Sequence, residues 1–341
     1  MAERRCIFCG RLIDLDRYAL FRLPPDYKHI TDNIYRNYLE SRGISGNASF
    51  PDIVGAGSPE TAGIEWEKNR PVLMTRTGRS TDTLICPSCH NEVFRDTDEG
   101  RVNTAVFFGG ADSGRTSLIL AMAGECVTRQ FSPDDRFRYM INERLYPSEF
   151  ITAEYDRVRS GEKPADLREP TAIYRVTGAG AGFSVVCDVM HDVSRSDLAD
   201  EQALYTCLPF AAEAAQYVYC LPADTLAEQT EAPAELADMR LRLDIYMMMS
   251  AFRCSRTRPV LNIAVTKLDL AAKRGGAAAD FLAVKDSEQT MRNYVFGAFP
   301  CIEELSGRFA GVRIYPVSAV STMSESDDAG LLGRLYSGLF G

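Results

Sequence analysis

The sequence contains no long apolar run and no excess of basic residues. No hydrophobic stretch approaches the roughly 18 to 20 residues that a membrane-spanning helix needs, and the first residues lack the apolar core of a secretory signal. We therefore expect a cytoplasmic protein that does not enter a membrane. Lys and Arg number 38 against 47 Asp and Glu, and neither the first hundred residues nor the remainder is basic. This balance argues against a nucleic-acid partner.

Cysteine is plentiful, with ten in the chain. In a cytoplasmic protein, cysteines serve as thiols or metal ligands more often than as disulfides. Two C-x-x-C pairs, Cys6 with Cys9 and Cys86 with Cys89, predict a four-thiolate zinc site. Two unrelated buried pairs remain an alternative, and so does a redox motif, although neither pair opens a helix after a strand. His90 could replace one of the cysteines.

The distance between the two pairs predicts an insertion at about residues 20–80 of a zinc-ribbon-like domain. Asp32 to Arg42 has the pattern of a short helix, and residues 43–63 are rich in Gly, Ser, Pro and Ala, as loops are. We expect Trp66, the only tryptophan, to be packed. The polar segment 96–100 predicts a boundary that separates a domain of residues 1–100 from one of residues 101–341.

A glycine-bounded turn follows the apolar run from Ala105 to Phe108 and precedes a helical pattern. Its spacing fits the phosphate-binding motif G-x-x-x-x-G-K-[ST], except that arginine stands in place of lysine. Backbone N–H groups of such a loop wrap a phosphate, and the helix that follows directs its positive dipole end at the same anion. An ordinary strand-to-helix turn is the alternative. The predicted phosphate-site residues are Gly109, Asp112, Ser113, Gly114, Arg115, Thr116 and Ser117.

Two further motifs follow apolar runs later in the chain. Val260 to Val265 leads into Thr266-Lys267-Leu268-Asp269, which resembles the guanine-reading [NT]-K-x-D motif of Ras-like and translation-factor GTPases. In that family the carboxylate accepts hydrogen bonds from N1–H and the 2-amino group of guanine, which adenine cannot offer. Ser318-Ala319, after another apolar run, resembles the loop that contacts the guanine O6.

The three motifs, in the family's order, identify residues 101–341 as similar to the P-loop GTPases. The resemblance implies an α/β fold with a parallel sheet and helices on both faces, binding of GTP or GDP with Mg²⁺, slow hydrolysis, and switching between partner-binding states. A cysteine module before a divergent G domain also resembles the "double-GTPase" proteins of bacterial conflict and signalling systems.

The same resemblance assigns the Mg²⁺ ligands and the catalytic candidates. Thr116 would bind the ion through its hydroxyl, and Asp188, at the end of the expected strand 183–188, would hold it through water. The switch threonine would be Thr171 or Thr152, and we prefer Thr171 because it precedes an apolar run, although an ordinary strand-start threonine is as good an interpretation. His191 replaces the family's switch glycine and is a candidate for orienting water. A switch-loop residue without chemistry is the alternative.

Both departures, Arg115 and His191, fall on the γ-phosphate side, whereas Lys267 and Asp269 are intact. Base recognition should therefore survive better than hydrolysis. Three functions remain open: a slow GTP-binding switch that meets an unidentified protein partner through its switches and zinc ribbon, a pseudo-GTPase scaffold, and a zinc-ribbon adaptor that assembles a complex.

Hydrophobic periodicity predicts the other elements. In the helix predicted over 234–253, large apolar residues recur at spacings of three and four. The remaining strands are predicted over 172–176, 216–221 and 312–317, and the remaining helices over 116–127, 288–296 and 328–340.

Overall fold

A computed structural model of the chain describes most of its residues. The described ranges are 3–42, 44–46, 48–67, 70–93, 101–128, 137–142, 145–177, 184–193, 210–211, 214–227, 233–251, 258–270, 277–320 and 325–340. The predicted boundary at 96–100 lies outside them.

The N-terminal part consists of short antiparallel strands and two helices. The strands are β1 (Glu3–Arg5), β2 (Leu12–Asp14), β3 (Leu20–Arg22), β4 (His29–Thr31), β5 (Ser49–Pro51), β6 (Ile53–Gly55), β7 (Thr61–Glu67), β8 (Arg70–Thr75), β9 (Ser80–Thr81) and β10 (Leu84–Ile85), and the helices are α1 (Leu15–Tyr18) and α2 (Asn33–Ser41).

The predicted helix of this part is confirmed as α2, and Asp32 caps it by accepting a hydrogen bond from the Tyr35 amide. The prediction of loop over 43–63 is wrong, because β5, β6 and the start of β7 lie there. Trp66 is 48% exposed and not packed as expected. It belongs to β7, whose last three residues all face solvent.

The remainder of the chain alternates strands and helices. The strands are β11 (Arg101–Phe108), β12 (Phe137–Ile141), β13 (Thr171–Thr177), β14 (Ser184–Asp192), β15 (Gln216–Pro222), β16 (Val260–Thr266) and β17 (Gly311–Pro316). The helices are α3 (Arg115–Thr128), α4 (Ser148–Arg159), α5 (Asp224–Ala227), α6 (Pro233–Ala251), α7 (Ala277–Ala283), α8 (Glu288–Ala298), α9 (Pro300–Ser306) and α10 (Glu325–Phe340).

These seven strands form one sheet in the order β12-β13-β14-β11-β15-β16-β17. Only β13 runs against the others, since it pairs antiparallel with both of its neighbours. From β11 the chain first builds strands on one side and then, from β15 onward, on the other. Ligands of open α/β sheets bind at the carboxyl end of the strand where the order reverses, which here is the end of β11.

Both faces of the sheet are covered, but by different partners. One face packs on α3, α4 and α10 around Phe107 and Met190. On the other face, helices α6 to α9 cover the half that contains β15 and β16. The half formed by β13 and β14 is covered by the N-terminal part, where Ile7 and Phe8 share a core with Tyr174 and Val189. The predicted α/β class with a mostly parallel sheet is confirmed.

Candidate functional site

The glycine-bounded turn that is predicted to bind phosphate connects β11 to α3, and we call it the phosphate loop. Its backbone takes left-handed angles at Gly109 (φ 149°), Asp112 (φ 55°) and Gly114 (φ 85°). A Cβ atom at Gly109 would lie 2.7 Å from the Cys220 carbonyl oxygen, so only glycine fits there. The loop therefore has the tight, glycine-dependent curvature that turns amide groups inward.

The Arg115 side chain is held in place by hydrogen bonds. Its Nε donates to Asp192 Oδ1 at 2.9 Å, and its Nη1 donates to the Gly109 carbonyl at 2.6 Å. The guanidinium is therefore engaged at the base of the loop, beside the last residue of β14.

Asp192 occupies the position that the sequence analysis gave to Asp188. β14 extends four residues beyond its predicted end, and Asp192 pairs in register with Phe107, immediately before the phosphate loop. The second carboxylate oxygen of Asp192 accepts the Thr116 hydroxyl. Thr116 and Asp192 thus bring two oxygen donors together at the start of α3, which is the ligand type that Mg²⁺ prefers.

The interpretation of Asp188 as a strand-end Mg²⁺ ligand is corrected by this register. Asp188 lies in the middle of β14, about 13 Å before Asp192 at the usual rise per strand residue, and it is fully buried. It accepts hydrogen bonds from Arg175 at 2.5 Å, Tyr336 at 2.8 Å and Asn103 at 2.9 Å. Burial raises its pKa despite the neighbouring Arg175. These contacts tie β11, β13, β14 and α10 together, so Asp188 has a role in the fold.

His191 faces away from the phosphate loop. Side chains alternate along a strand, so His191 and its neighbour Asp192 lie on opposite faces of the sheet. The ring stacks on Phe210 with centroids 3.7 Å apart and planes at 8°. Burial, with a contribution from Arg42, lowers its pKa well below the usual value. The interpretation of His191 as a water-orienting group is therefore not supported by its position.

The switch-threonine candidates are not brought to the cleft either. Thr171 starts β13 and is 1% exposed, with no hydrogen-bond partner for its hydroxyl in the described part of the chain. Thr152 lies within α4. Neither borders the cleft described below.

The segment predicted to read the base, Thr266 to Asp269, contacts the phosphate loop through a hydrogen bond. The Thr266 hydroxyl donates to the Ser113 carbonyl at 2.6 Å, across 153 residues of sequence. Lys267 takes a left-handed angle (φ 58°), and Asp269 follows it, 7% exposed, on the cleft wall. The strand end and the loop are thus fastened to each other at one edge of the sheet.

The last motif, Ser318-Ala319, lies at the same cleft. Ser318 is buried, and its hydroxyl donates to the Val320 carbonyl at 3.0 Å. Ala319 borders the cleft itself. Ser318 therefore shapes this turn from within.

A single cleft of about 790 Å³ joins these motifs. It extends from the phosphate loop, past Thr116 and Ser117, to Lys267, Asp269 and Ala319. A stretch that the sequence analysis did not assign, residues 160–166 after α4, forms a further wall with Gly161, Lys163 and Asp166. Its glycine (φ 85°) was the only signal that could have drawn attention to it.

The four paired cysteines form one buried cluster. The Sγ atoms of Cys6 and Cys89 lie 3.7 Å apart, as do those of Cys9 and Cys86, and all four sulfurs fall within 4.8 Å of one another. A Zn–S bond of about 2.3 Å gives a tetrahedron with edges of about 3.8 Å. The spacing of the sulfurs therefore fits a tetrahedral zinc ion.

Each C-x-x-C pair closes the same kind of turn. The amide of Gly10 (φ 72°) donates to the Cys6 carbonyl, and the amide of His90 (φ 54°) donates to the Cys86 carbonyl. The His90 ring lies 2.8 Å from Asp32 through Nδ1. His90 thus completes the second turn and is bonded to a carboxylate.

Two thiols of the cluster have pKa values shifted in opposite directions. Burial is the main cause that raises the pKa of Cys6, whereas hydrogen bonds from Cys6 and the other two thiols lower that of Cys86. A divalent cation would let the remaining thiols ionise.

Among the described residues, no helix is long and apolar enough to cross a bilayer.

Comparison with known proteins finds a likeness to solved structures only. The small COPII coat GTPase of Encephalitozoon cuniculi in complex with GDP is 15% identical over 70% of this chain and 79% of that chain, with a TM-score of 0.33. Sup35 complexed with GDP is 15% identical over 67% of this chain, with a TM-score of 0.32, and sup35 complexed with GMPPNP is 14% identical over 64%, with a TM-score of 0.30. The match spans 40% and 38% of these two sup35 chains.

No protein-family model matches the chain. No curated protein matches it either. The resemblance to double-GTPase proteins stays a prediction.

Proposed function

We propose that this protein is a guanine-nucleotide-binding switch that hydrolyses GTP slowly and carries a structural zinc ion. The observation that carries the proposal is the hydrogen bond from Thr266 to the Ser113 carbonyl. It joins the segment predicted to read the base to the loop predicted to bind phosphate, and both border one cleft of about 790 Å³, a size typical of small-ligand sites.

The base would lie at the end formed by Lys267, Asp269 and Ala319. A carboxylate that is 7% exposed offers two acceptor oxygens in a largely dry setting, where a bidentate, charge-assisted pair is strong. Guanine supplies two adjacent donors to such a pair, and adenine does not. The site should therefore select guanine.

The phosphates would lie over Asp112 to Gly114, at the N-terminal end of α3. Helix α3 is 14 residues long, and the positive end of its dipole lies at this loop, where it would attract phosphate. Thr116 and Asp192 would hold Mg²⁺. When bound, this ion neutralises charge on the phosphate oxygens.

Slow turnover follows from what borders the phosphate end. Arg115 is bonded to Asp192 and to a loop carbonyl, and His191 lies on the opposite face of the sheet. We expect turnover without a partner at roughly 10⁻⁴ s⁻¹ or below, the scale of an unassisted Ras-type site.

The cysteine cluster would act through structure. It shares a hydrophobic core with residues of β13 and of β14, the strand that ends in Asp192. A zinc ion held there would fix the outer face of this half of the sheet and present the N-terminal part to a protein partner.

A second candidate is a nucleotide-locked scaffold that does not turn over. The engagement of Arg115 by Asp192 favours it. Liquid chromatography of nucleotide released from the purified protein, followed by a single-turnover assay with GTP, separates the two. In both cases guanine nucleotide is found in the purified protein. A switch then converts GTP slowly in the single-turnover assay, whereas a scaffold does not convert it. Release of adenine nucleotide alone, or of none together with no binding of added GDP, contradicts the proposal.

A further inference from the structure

Helix α6 has two apolar faces. One face enters the core through Leu241, Ile245 and Met248, each no more than 1% exposed. The other face carries four large apolar side chains that remain about half exposed. These are Leu236 at 49%, Met239 at 64%, Leu243 at 50% and Tyr246 at 46%.

The four exposed residues form one stripe, which we call the α6 stripe. Their spacing of three, four and three residues places them within one narrow sector of the helix, since each residue turns it by 100°. This is the a/d spacing with which helices pack against other helices through knobs and holes. Single exposed apolar residues are ordinary, but a contiguous stripe on one helix marks an interaction surface.

The two edges of the α6 stripe differ in charge. Arg240, which is exposed, lies about 80° to one side of the stripe's centre, and Arg242 lies about 80° to the other side. Arg242 is already neutralised, because its guanidinium bonds to Glu304 at 2.7 Å and lies 3.8 Å from Asp238. Because two carboxylates, Glu304 and Asp238, face one guanidinium here, this second edge is acidic in net terms.

We propose that a second copy of this chain docks on the α6 stripe, with the two α6 helices parallel and related by a two-fold axis along them. In a parallel pair the axis sets the Arg240 edge of each helix against the acidic edge of the other. An antiparallel pair would instead set Arg240 against the partner's Arg240, which is repulsive. The chain's charges thus complement a second copy, and they select one orientation.

The area of the stripe suits a weak, reversible dimer. The four side chains expose on the order of 400 Å² per chain, about half of the roughly 800 Å² that each partner buries in a standard interface. The charged residues along the two edges of the α6 stripe would add further buried area as a polar rim. A dissociation constant in the micromolar range is expected for an interface at this lower end of size.

Sedimentation equilibrium of the full chain from about 1 to 100 μM tests the proposal. Wild type should shift from monomer to dimer within this range, and Met239→Glu or Leu243→Glu should weaken association at least tenfold. Met140→Glu is the matched control, because Met140 is 60% exposed but belongs to β12. A monomeric wild type at every concentration overturns the proposal, and so does a Met239→Glu variant that associates like wild type.

The orientation has its own test. Under mild oxidation, Leu236→Cys should form a disulfide-linked dimer above the background of the wild type, because residue 236 meets its own copy only in a parallel pair. In an antiparallel pair the two copies of residue 236 would lie about 15 Å apart or more, since ten residues of helix separate it from Tyr246. Arg240→Glu should weaken the dimer, because it sets a carboxylate against the partner's acidic edge. Absence of the linked dimer overturns the parallel arrangement.

Discussion

The cysteine cluster and the cleft depend on different kinds of structure. Two local turns position the four cysteines, and their sulfurs lie within 4.8 Å of one another. The cleft is instead assembled from distant strand ends and loops, as the hydrogen bond from Thr266 to the Ser113 carbonyl shows. A residue that a local turn positions can be predicted from a short motif, whereas Asp192, whose position depends on where β14 ends, was passed over in favour of Asp188.

The largest expected effect concerns the cluster. Cys86→Ser should lose the zinc ion and most of the chain's stability, since apparent binding free energies of structural zinc are about 10 kcal/mol or more. Mass-spectrometric metal analysis and thermal unfolding measure this. Cys126→Ser, a buried cysteine outside the cluster, should keep one zinc per chain. Full zinc content in Cys86→Ser would contradict the assignment.

The second effect separates the two aspartates. Asp188→Asn leaves Arg175, with its side chain 11% exposed, without its counter-charge, so the free energy of unfolding should fall by about 3 to 5 kcal/mol. Urea unfolding without nucleotide measures this loss.

Asp192→Asn should instead reduce the part of GDP affinity that depends on Mg²⁺, with a smaller loss of stability. GDP titrations with and without Mg²⁺ measure it. If Asp188→Asn lowered the Mg²⁺ dependence and Asp192→Asn did not, the corrected assignment would be wrong.

The third effect lies at the base end. Asp269→Asn removes a charged acceptor from a nearly dry wall, which should weaken GDP binding by about 2 to 3 kcal/mol, or about 30- to 150-fold. Titration calorimetry measures the change. Asp52→Asn, which changes an exposed aspartate of the N-terminal part outside the cleft lining, is the control and should bind GDP as wild type does. An unchanged affinity in Asp269→Asn would remove the base end from the account.

A smaller effect is expected from Arg115→Lys. Lysine lacks the planar fork that bonds Asp192 and the Gly109 carbonyl together and offers a compact ammonium to phosphate. GDP affinity or single-turnover rate should rise, by up to about tenfold for one charged contact. Arg242→Lys, remote from the cleft, should change neither quantity. A loss of both in Arg115→Lys would show that the guanidinium itself binds the phosphates.

The smallest effect is a pH dependence of stability. The folded chain holds the pKa of His191 well below 6.5 because the ring is buried, whereas the unfolded chain takes up the proton below about pH 6.5. Stability should therefore fall as pH drops below this value, by at most about 1.4 kcal/mol per pH unit. His191→Gln should remove the part of the slope that comes from protonation of His191 in the unfolded chain. Equal slopes in both proteins, from unfolding at pH 5 to 7.5, would place the His191 ring in solvent.

Most of the large fold could be predicted from the sequence, because strands β11, β15, β16 and β17 are mostly apolar near their carboxyl ends. β14 was misread because Asp188 interrupts its apolar run, although the aspartate is satisfied by Arg175, Tyr336 and Asn103 from distant parts of the chain. A tertiary network of this kind leaves no local signal.

Helix α6 was predicted correctly as an element, but the α6 stripe, whose spacing of three and four residues predicted it, faces outward. Periodicity shows that such residues share a face but not which face meets the core, and here Leu241, Ile245 and Met248 do so. Most N-terminal strands were missed because they are only two or three residues long, although β7 and β8 have seven and six.

The central claim is that the cleft between the phosphate loop and Asp269 selects guanine nucleotide. Titration calorimetry of the nucleotide-free full chain with GDP and with ADP, under one buffer with Mg²⁺, tests it most directly. The account predicts that GDP binds at least about 30-fold more tightly than ADP, since only guanine pairs with the Asp269 carboxylate. Equal affinities for the two nucleotides would contradict it.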